Sequence, residues 1–331
     1  MNGVNLDLFQ FEYDLTWMAF FMDSNDHFYA RYGGRDDADP QSYLTKESLV
    51  RVMRAALELH RAGRVRTARY EPTGKEFRTP EEMPTMAAMM AKREVKCIHC
   101  HDVKVAQLRD LQERDEFSRD LIFTYPTPAT VGMNIAPDEQ NRVQSVSSDS
   151  PAAAAGVRPG DLLVSADRER VISLADFARV LELTPKEATL SLDLMRAGQE
   201  VHTSLRLSGS WKKTPDPSWR ASVGLAGPNA GFWAVELNDQ QKRAEGLLPD
   251  SLALRVTFLF PNHPSAHSGL KLKDVVVEFD GKHQPMNTRQ LHAYCQMNHN
   301  YGDKVPFIVK RDGSDIKLEL ELPDRPPKPG D

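Results

Sequence analysis

An internal repeat constrains the fold of this chain more than any other feature of its sequence. The run SPAAAAGVRPGDLLVSAD, residues 150–167, returns more loosely as HPSAHSGLKLKDVVVEFDG, residues 263–281. The alignment of the two runs places Asp161 of the first copy at the position of Asp274 in the second. A repeat of this length indicates that one domain has been duplicated.

Each copy has the same order of predicted elements. The apolar pattern from Val131 onward indicates strand, strand, short helix, strand, helix and a terminal hairpin. The turn of that hairpin is RAG, residues 196–198, in the first copy and RDG, residues 311–313, in the second. The proline-containing segment WKKTPDPSWR between the copies is typical of a linker.

Two further segments precede the repeats. Aromatic, apolar runs on either side of the turn SND, residues 24–26, predict a β-hairpin. An apolar period near 3.6 after Thr45 predicts a helix. A second helix is predicted to begin at Thr79 and to run without a break to Leu111. The whole chain is therefore expected to be α+β.

Composition excludes several classes of protein. The 331 residues carry 47 acidic and 42 basic side chains, a net charge of −5, and this balance predicts no nucleic-acid partner. No apolar run approaches the roughly 20 residues of a membrane helix, and the first residues lack the basic and apolar regions of a signal peptide. Three cysteines do not make a disulfide framework.

The repeated runs resemble the core of bacterial PDZ domains, over residues 126–209 and 223–323. The resemblance implies that each copy holds the C-terminal end of a peptide, which pairs with the edge of a sheet while loop amides take its carboxylate. The glycine that opens each loop is expected to let the backbone approach the ligand closely. The expected peptide-binding residues are Gly132, Met133, Asn134 and Ile135 in the first copy, and Gly231, Phe232, Trp233 and Ala234 in the second.

The second helix of each copy is expected to form the other wall of the groove. An apolar helix face is more often core than binding surface, so both interpretations stay open for each residue. The candidates are Phe177, Val180 and Leu181 in the first copy and Leu291, Tyr294 and Cys295 in the second. Bacterial PDZ domains often accompany serine proteases, but the sequence contains no Gly-x-Ser-x-Gly segment, and protease activity is not expected.

A CxxCH motif lies upstream of the repeats. Cys97, Cys100 and His101 have the spacing of a c-type haem attachment site, in which two thiols one helical turn apart bind the porphyrin and the histidine binds the iron. The pair could instead be a redox dithiol, or could bind zinc or copper together with His99 or His101. It could also be structural. The conceivable sixth iron ligands are Met83, Met86, Met89, Met90 and Met133.

The order hairpin, helix, CxxCH and two PDZ repeats resembles a bacterial family of thioredoxin-like/PDZ proteins and selenoproteins. The segments that carry the resemblance are residues 6–36, KCIHCH at 96–101, and the two repeats. It implies that the first part of the chain is the second half of a thioredoxin-like domain. Members carry a Cys or selenocysteine motif upstream of the hairpin. They also carry a cis-proline immediately before the first strand of the hairpin, where this chain has Leu15 and Thr16.

These observations together predict an envelope adaptor that binds protein or peptide C-termini, with a redox or haem site at CxxCH. The alternatives are a thiol or haem oxidoreductase that recruits substrates through its PDZ domains, and a cofactor-free scaffold. Covalent haem would imply the periplasm or cell envelope, because attachment happens outside the cytoplasm. The predicted segments are a partial thioredoxin-like unit at 1–72, a helical CxxCH segment at 73–125, PDZ domains at 126–209 and 223–323, a linker at 210–222 and a disordered tail at 324–331.

Overall fold

The computed structural model describes residues 1–15, 17–35, 39–64 and 76–325. The chain divides into two compact units, residues 1–215 and residues 216–331. Thr16, at the position expected for a cis-proline, and most of the tail predicted to be disordered lie outside the described residues. No helix in the described ranges has the length and apolarity needed to cross a bilayer.

The first unit begins with the predicted hairpin and helix. Strands β1 (Met18–Met22) and β2 (Phe28–Gly33) pair antiparallel, and helix α1 covers Lys46–Arg61. Asp26 adopts a positive φ of 62° in the turn, a conformation that Asp tolerates better than most residues. Both elements are therefore present where the sequence predicts them, while the thioredoxin-like assignment of this segment stays a prediction.

The helix predicted to be continuous from Thr79 is broken. A 3₁₀ turn at Pro80–Glu82 leads into helix α2 (Pro84–Ala91), and helix α3 (Cys100–Glu113) starts only after a gap. A new helix begins at Cys100 because Asp102 accepts a hydrogen bond from the His99 amide at 2.9 Å, as in a capping box. Cys97 therefore lies in the connection, and the two thiols do not share a helix.

The first repeat folds around its own core in two small sheets. One pairs β3 with β4, and the other has the order β6-β5-β7-β8. The core includes Phe177, Leu181, Leu192 and Leu205. The elements are β3 (Met133–Ile135), β4 (Val143–Val146), α4 (Pro151–Ala154), β5 (Leu162–Ala166), β6 (Glu169–Arg170), α5 (Leu174–Leu183), β7 (Ala188–Arg196) and β8 (Gln199–Leu207).

The second repeat has a single five-stranded sheet of order β13-β12-β11-β10-β9, with β9 at one edge. Its core includes Phe232, Phe279, Leu291 and Phe307. The elements are β9 (Phe232–Glu236), α6 (Asp239–Ala244), β10 (Leu254–Leu259), β11 (Val275–Phe279), α7 (Thr288–Asn298), β12 (Lys304–Arg311) and β13 (Ser314–Glu321).

One buried ion pair appears in both repeats. Arg196 donates to both carboxylate oxygens of Asp161 at 2.7 Å, and also to the Gly156 carbonyl oxygen at 2.8 Å. Arg311 binds both oxygens of Asp274 at the same 2.7 Å distance. Burial alone would raise the pKa of Asp161, but the hydrogen bonds from the arginine outweigh it and lower the pKa. The shared geometry supports the duplication read from the sequence.

The segment predicted as a linker at 210–222 is more ordered than its prolines suggest. Trp211 joins the core of the first repeat, and its indole Nε1–H donates to the Lys186 carbonyl oxygen at 3.0 Å. In the second unit Arg220 is fully buried, and its guanidinium lies 4.2 Å from the ring centroid of Trp219. The boundary between the units falls after Pro215.

Candidate functional site

The open edge of β3 is the candidate binding strand of the first repeat. The Ser147 amide donates to the Gly132 carbonyl oxygen at 2.9 Å, and Asn134 lies opposite Ser145. Because antiparallel pairs alternate, Asn134 directs its N–H and C=O toward β4, while Met133 and Ile135 direct theirs outward. In the part of the chain that the structure describes, no hydrogen bond reaches these outward groups. They lack a partner there, but both residues are buried, with 0% of Met133 and 1% of Ile135 exposed, so this edge must be uncovered before a strand can pair with it.

Helix α5 is fixed from its outer side by the N-terminal segment. The Arg31 amide of β2 donates to Asp176 Oδ1 at 3.1 Å, and Ser173 Oγ donates to the Arg31 carbonyl oxygen at 2.5 Å. Farther along the helix, Arg179 donates to Gln10 Oε1, and to Tyr125 Oη at 3.3 Å. These contacts position the helix without using the edge of β3.

The apolar helix residues predicted as groove candidates lie in the cores. Phe177, Val180 and Leu181 are buried in the first repeat, and Leu291 and Cys295 are buried in the second. Tyr294 is partly buried and packs against the second core. The structure thus favours the core interpretation of these residues, because the same helix face that carries them closes the hydrophobic interior.

The corresponding edge in the second repeat is closed by a threonine. Thr288 Oγ1 donates to the Ala234 carbonyl oxygen at 2.6 Å and accepts from the Ala234 amide at 3.2 Å. Ala234 faces outward on β9, as Ile135 does on β3. Both main-chain groups that an added strand would need at this position are already paired.

A histidine closes the same edge one turn farther along α7. The Ala230 amide lies 3.2 Å from His292 Nδ1, and His292 Nε2 lies 2.9 Å from the Phe232 carbonyl oxygen. The two partners fix the neutral tautomer with the proton on Nε2, since an amide must donate and a carbonyl must accept. Burial lowers the pKa of His292, the hydrogen bond to Phe232 opposes this, and nearby His263 lowers it further.

Sequence reasoning missed these two residues, which we call the clamp (Thr288 and His292). An alignment of the two groove helices at their N-caps, Ser173 and Asn287, would have shown that the two repeats differ at these positions. Counted from the N-cap, the positions of Thr288 and His292 are occupied in the first repeat by Leu174 and Ala178. Neither carries a polar side-chain atom that could bind the strand. The helix of the first repeat therefore lacks the two side chains that hydrogen-bond to the strand in the second.

The glycine of each predicted loop has a packing role. Gly132 has a φ of +85°, and a Cβ there would lie 2.1 Å from Ser150 Oγ; Gly231 has a φ of +72°, and a Cβ there would lie 1.8 Å from His263 Nδ1. The Gly231 amide donates to Asn229 Oδ1 at 2.8 Å. These glycines thus make room for the protein's own side chains, and not only for a ligand as the sequence suggested.

The CxxCH residues lie at the surface before and at the start of α3. Cys97 is exposed and Cys100 is half-buried, and burial raises the pKa of the Cys100 thiol. The ring of His101 stacks on that of His99 with centroids 5.6 Å apart. Asp102 is bound by Arg93 in a bidentate pair at 2.7 Å, which lowers the pKa of that carboxyl to about 2.

The surroundings of the motif fit a covalently attached group only in part. The attachment groups are accessible, but the neighbouring residues 94–97 are all exposed, so they form no apolar wall. Met83, Met86 and Met133 are buried, which removes them as iron ligands in this conformation, while Met89 and Met90 are half-buried. Within the described ranges, no group of three or more His, Cys, Asp or Glu side chains could hold a metal ion.

Comparison with protein-family models identifies the repeats. Residues 142–196 and residues 236–322 each match a PDZ domain. The chain therefore contains two PDZ domains in tandem, and from here they are called PDZ1 and PDZ2.

Among curated proteins, the chain resembles a probable periplasmic serine endoprotease, DegP-like, of Pseudomonas fluorescens. The two are 25% identical over 142 residues, which are 42% of this chain and 29% of that protein. The protein of the same description from Hahella chejuensis is 22% identical over 182 residues, 54% of this chain and 38% of its own length. This chain thus spans less than two-fifths of either relative.

Among solved structures, the HtrA-type protease AlgW with a decapeptide is 15% identical. The match covers 52% of this chain and 58% of that one, with a TM-score of 0.26. The HtrA3 PDZ domain bound to the phage-derived ligand FGRWV is 20% identical over 25% of this chain and 75% of that one, with a TM-score of 0.19.

Proposed function

We propose that this protein is a peptide-binding adaptor whose PDZ1 groove captures the C-termini of other proteins by strand addition. The observation that carries the proposal is the pair of outward, unbonded main-chain positions at Met133 and Ile135 on the edge of β3. A peptide strand gains its affinity by pairing with such groups. The helix opposite, α5, is fixed by Arg31 and Arg179 contacts and so provides a preformed second wall.

The absence of a clamp in PDZ1 sets its expected ligand preference. Leu174, which is buried in the PDZ1 core, and Ala178, which is half-buried, stand where the clamp of PDZ2 stands, so these two positions are apolar and carry no hydrogen-bonding group. We therefore expect peptides with apolar C-terminal residues to bind best. A short strand-added peptide is expected to bind with a micromolar Kd, about −8 kcal/mol.

The first prediction concerns peptide capture by PDZ1. A short fluorescein-labelled peptide ending in valine with a free carboxylate is expected to bind the full-length chain at neutral pH. Ala178→Trp should abolish the binding, because a bulky ring at this half-buried position fills the groove. Fluorescence anisotropy measures both, and circular dichroism checks that the variant is folded.

Two controls accompany this measurement. Leu183→Trp places the same ring at an exposed position of the same helix and should leave binding unchanged. The peptide with a C-terminal amide should bind at least about tenfold more weakly, since each lost tenfold corresponds to about 1.4 kcal/mol of carboxylate interaction. Equal binding of acid and amide would rule out carboxylate capture at the loop that begins at Gly132.

We place this adaptor in the periplasm or cell envelope. The support comes from the curated relatives, which are described as periplasmic, and from the CxxCH motif, because covalent haem attachment happens outside the cytoplasm. Fractionation of the native cells, with an antibody against the chain, tests the location. Recovery with cytoplasmic markers alone would contradict it.

A second candidate function, haem or thiol chemistry at CxxCH, is supported by the accessibility of its groups. Cys97 is exposed, and His101 is about half exposed, with 53% of its side chain accessible. A haem attached to both thiols would supply electron transfer, with His101 as the protein ligand. An alternative is a reversible Cys97–Cys100 disulfide.

The second prediction distinguishes these possibilities by mass. Expression with haem-maturation machinery should increase the intact mass by one haem, and Cys97→Ser with Cys100→Ser should abolish the increase. An unmodified mass with two alkylatable thiols would exclude haem. A mass two hydrogens lower, restored by a reductant, would instead support the disulfide.

A further inference from the structure

The groove of PDZ2 is occupied by side chains of the protein itself. The clamp, Thr288 and His292, is hydrogen-bonded to the Ala230 N–H, to the Phe232 C=O and to both main-chain groups of Ala234. These are the groups that an added strand and its carboxylate would use. An incoming peptide must therefore displace the clamp side chains before it can pair with β9.

The histidine half of the clamp works in only one protonation state. Neutral His292 accepts the Ala230 N–H at Nδ1 and donates from Nε2 to Phe232. Protonation adds a proton at Nδ1, which becomes the second N–H of the ring. This N–H faces the Ala230 N–H, whose nitrogen lies 3.2 Å from Nδ1. Two donors cannot bond to each other, so the contact is lost and a charge is left in a buried position.

The surroundings of His292 make that charge costly as long as the groove is closed. Only 9% of the residue is exposed, and its ring stacks on Trp233 at 5.9 Å and on Phe260 at 6.2 Å. His263, at the start of the 3₁₀ turn Pro264–His267, is the titratable group that acts on it from a neighbouring element. When both imidazoles are protonated they repel each other.

We propose that PDZ2 is a proton-gated peptide site, closed at neutral pH by His292 and Thr288 and opened in acid to bind a C-terminal carboxylate. Opening moves the imidazolium of His292 into water and frees the Ala230 amide for the ligand. His263 lies against Gly231, because a Cβ on Gly231 would be only 1.8 Å from His263 Nδ1. Burial lowers the pKa of His263 as well, so its positive charge develops only as acid opens the groove, and it then stands beside the carboxylate loop and favours an anionic ligand.

The sign of the pH effect follows from linkage. The pKa of His292 in the closed form is lowered by burial, whereas in the open, hydrated form it is expected to return toward its ordinary value of about 6.5. Protons therefore bind the open form more tightly. Closure is therefore fully favoured above about pH 6.5. It weakens as the pH falls from that value toward the lowered pKa that His292 has in the closed form.

The test uses the full-length chain with PDZ1 blocked by Ala178→Trp. The same fluorescein-labelled peptide acid is titrated at about pH 7.5 and about pH 5, and we expect binding about tenfold tighter in acid. His292→Gln is the matched variant, since a glutamine amide can accept from Ala230 and donate to Phe232 but does not titrate. It should remove the gain in acid.

Two further variants make every outcome decisive. Thr288→Ala with His292→Ala removes the clamp and should bind the peptide acid at both pH values. Equal affinity at the two pH values in the chain with an intact clamp overturns the proposal, as does no binding by the clampless variant. A gain in acid that survives His292→Gln but is lost in His263→Asn, which keeps an N-cap side chain, also overturns it.

This inference rests on the proposed function to the extent that both assume peptide capture by a PDZ groove. The two fail separately. Binding of the peptide acid at neutral pH by the chain without substitutions tests PDZ1 alone, because PDZ2 is closed there. A functional PDZ1 beside a PDZ2 that never binds would retain the proposed function and exclude the gate.

Discussion

Arg196→Leu is expected to destabilise PDZ1 by about 3–5 kcal/mol, because it leaves a buried carboxylate without its counter-charge. Only 1% of the Asp161 side chain is exposed, and Arg196 supplies both of its short side-chain hydrogen bonds. The remaining bond, from the Arg158 amide at 2.8 Å, is too little to solvate the charge. Hydrogen exchange read by mass spectrometry should show lost protection in the strands of residues 133–207.

The duplication supplies a matched experiment for this prediction. Arg311→Leu should cause a similar loss in residues 232–321, since Asp274 is equally buried and bound in the same geometry. Lys186→Met breaks an exposed pair with Asp120 and should cost at most about 1 kcal/mol. If Arg196→Leu costs no more than Lys186→Met, the buried pair does not stabilise the domain.

Gly231→Ala is expected to cost about 2–5 kcal/mol, the second large effect. Alanine at a φ of +72° is strained by about 1–2 kcal/mol. The new Cβ would also lie 1.8 Å from His263 Nδ1, and displacing that ring adds about 1–3 kcal/mol of overpacking. Thermal unfolding of the full chain, with exchange data to assign the affected unit, measures the loss.

Gly313→Ala separates the two contributions to this prediction. Gly313 has a similar φ of +80°, but nothing lies within 4 Å of a Cβ built there. Its substitution should therefore show only the conformational part, about 1–2 kcal/mol. Equal losses at Gly231 and Gly313 would mean that His263 moves aside freely. The same logic makes a substitution at Gly132 an ambiguous test of ligand binding, because Ser150 lies 2.1 Å from the new Cβ.

Local signals in the sequence predicted much of the fold. The turn at residues 24–26, the helix that starts after Thr45 and the hairpins at residues 196–198 and 311–313 all lie where the sequence places them. Each depends on contacts within a few residues, such as the Thr45 cap, which accepts from the Ser48 amide at 3.1 Å. Such signals survive any tertiary arrangement.

The long helix predicted from Thr79 shows where local reasoning fails. The chain leaves the helix after Ala91 and starts a new one at Cys100. Arg93 binds Asp102 across this break, and the Met1 amine donates to the Ile98 carbonyl oxygen at 2.7 Å. The second contact joins residues 97 positions apart, so no window of sequence contains it.

The sequence by itself determined that this chain has two copies of one domain, which the PDZ matches identify, and that each carries a strand edge with a helix beside it. Only the tertiary structure decided which edge is hydrogen-bonded to its own helix. Counting from the helix N-caps shows that Leu174 and Ala178 stand at the positions of Thr288 and His292, but it does not show that Thr288 and His292 reach the strand. Whether such a side chain binds the strand opposite depends on how closely that strand approaches, and packing of the whole domain sets that distance.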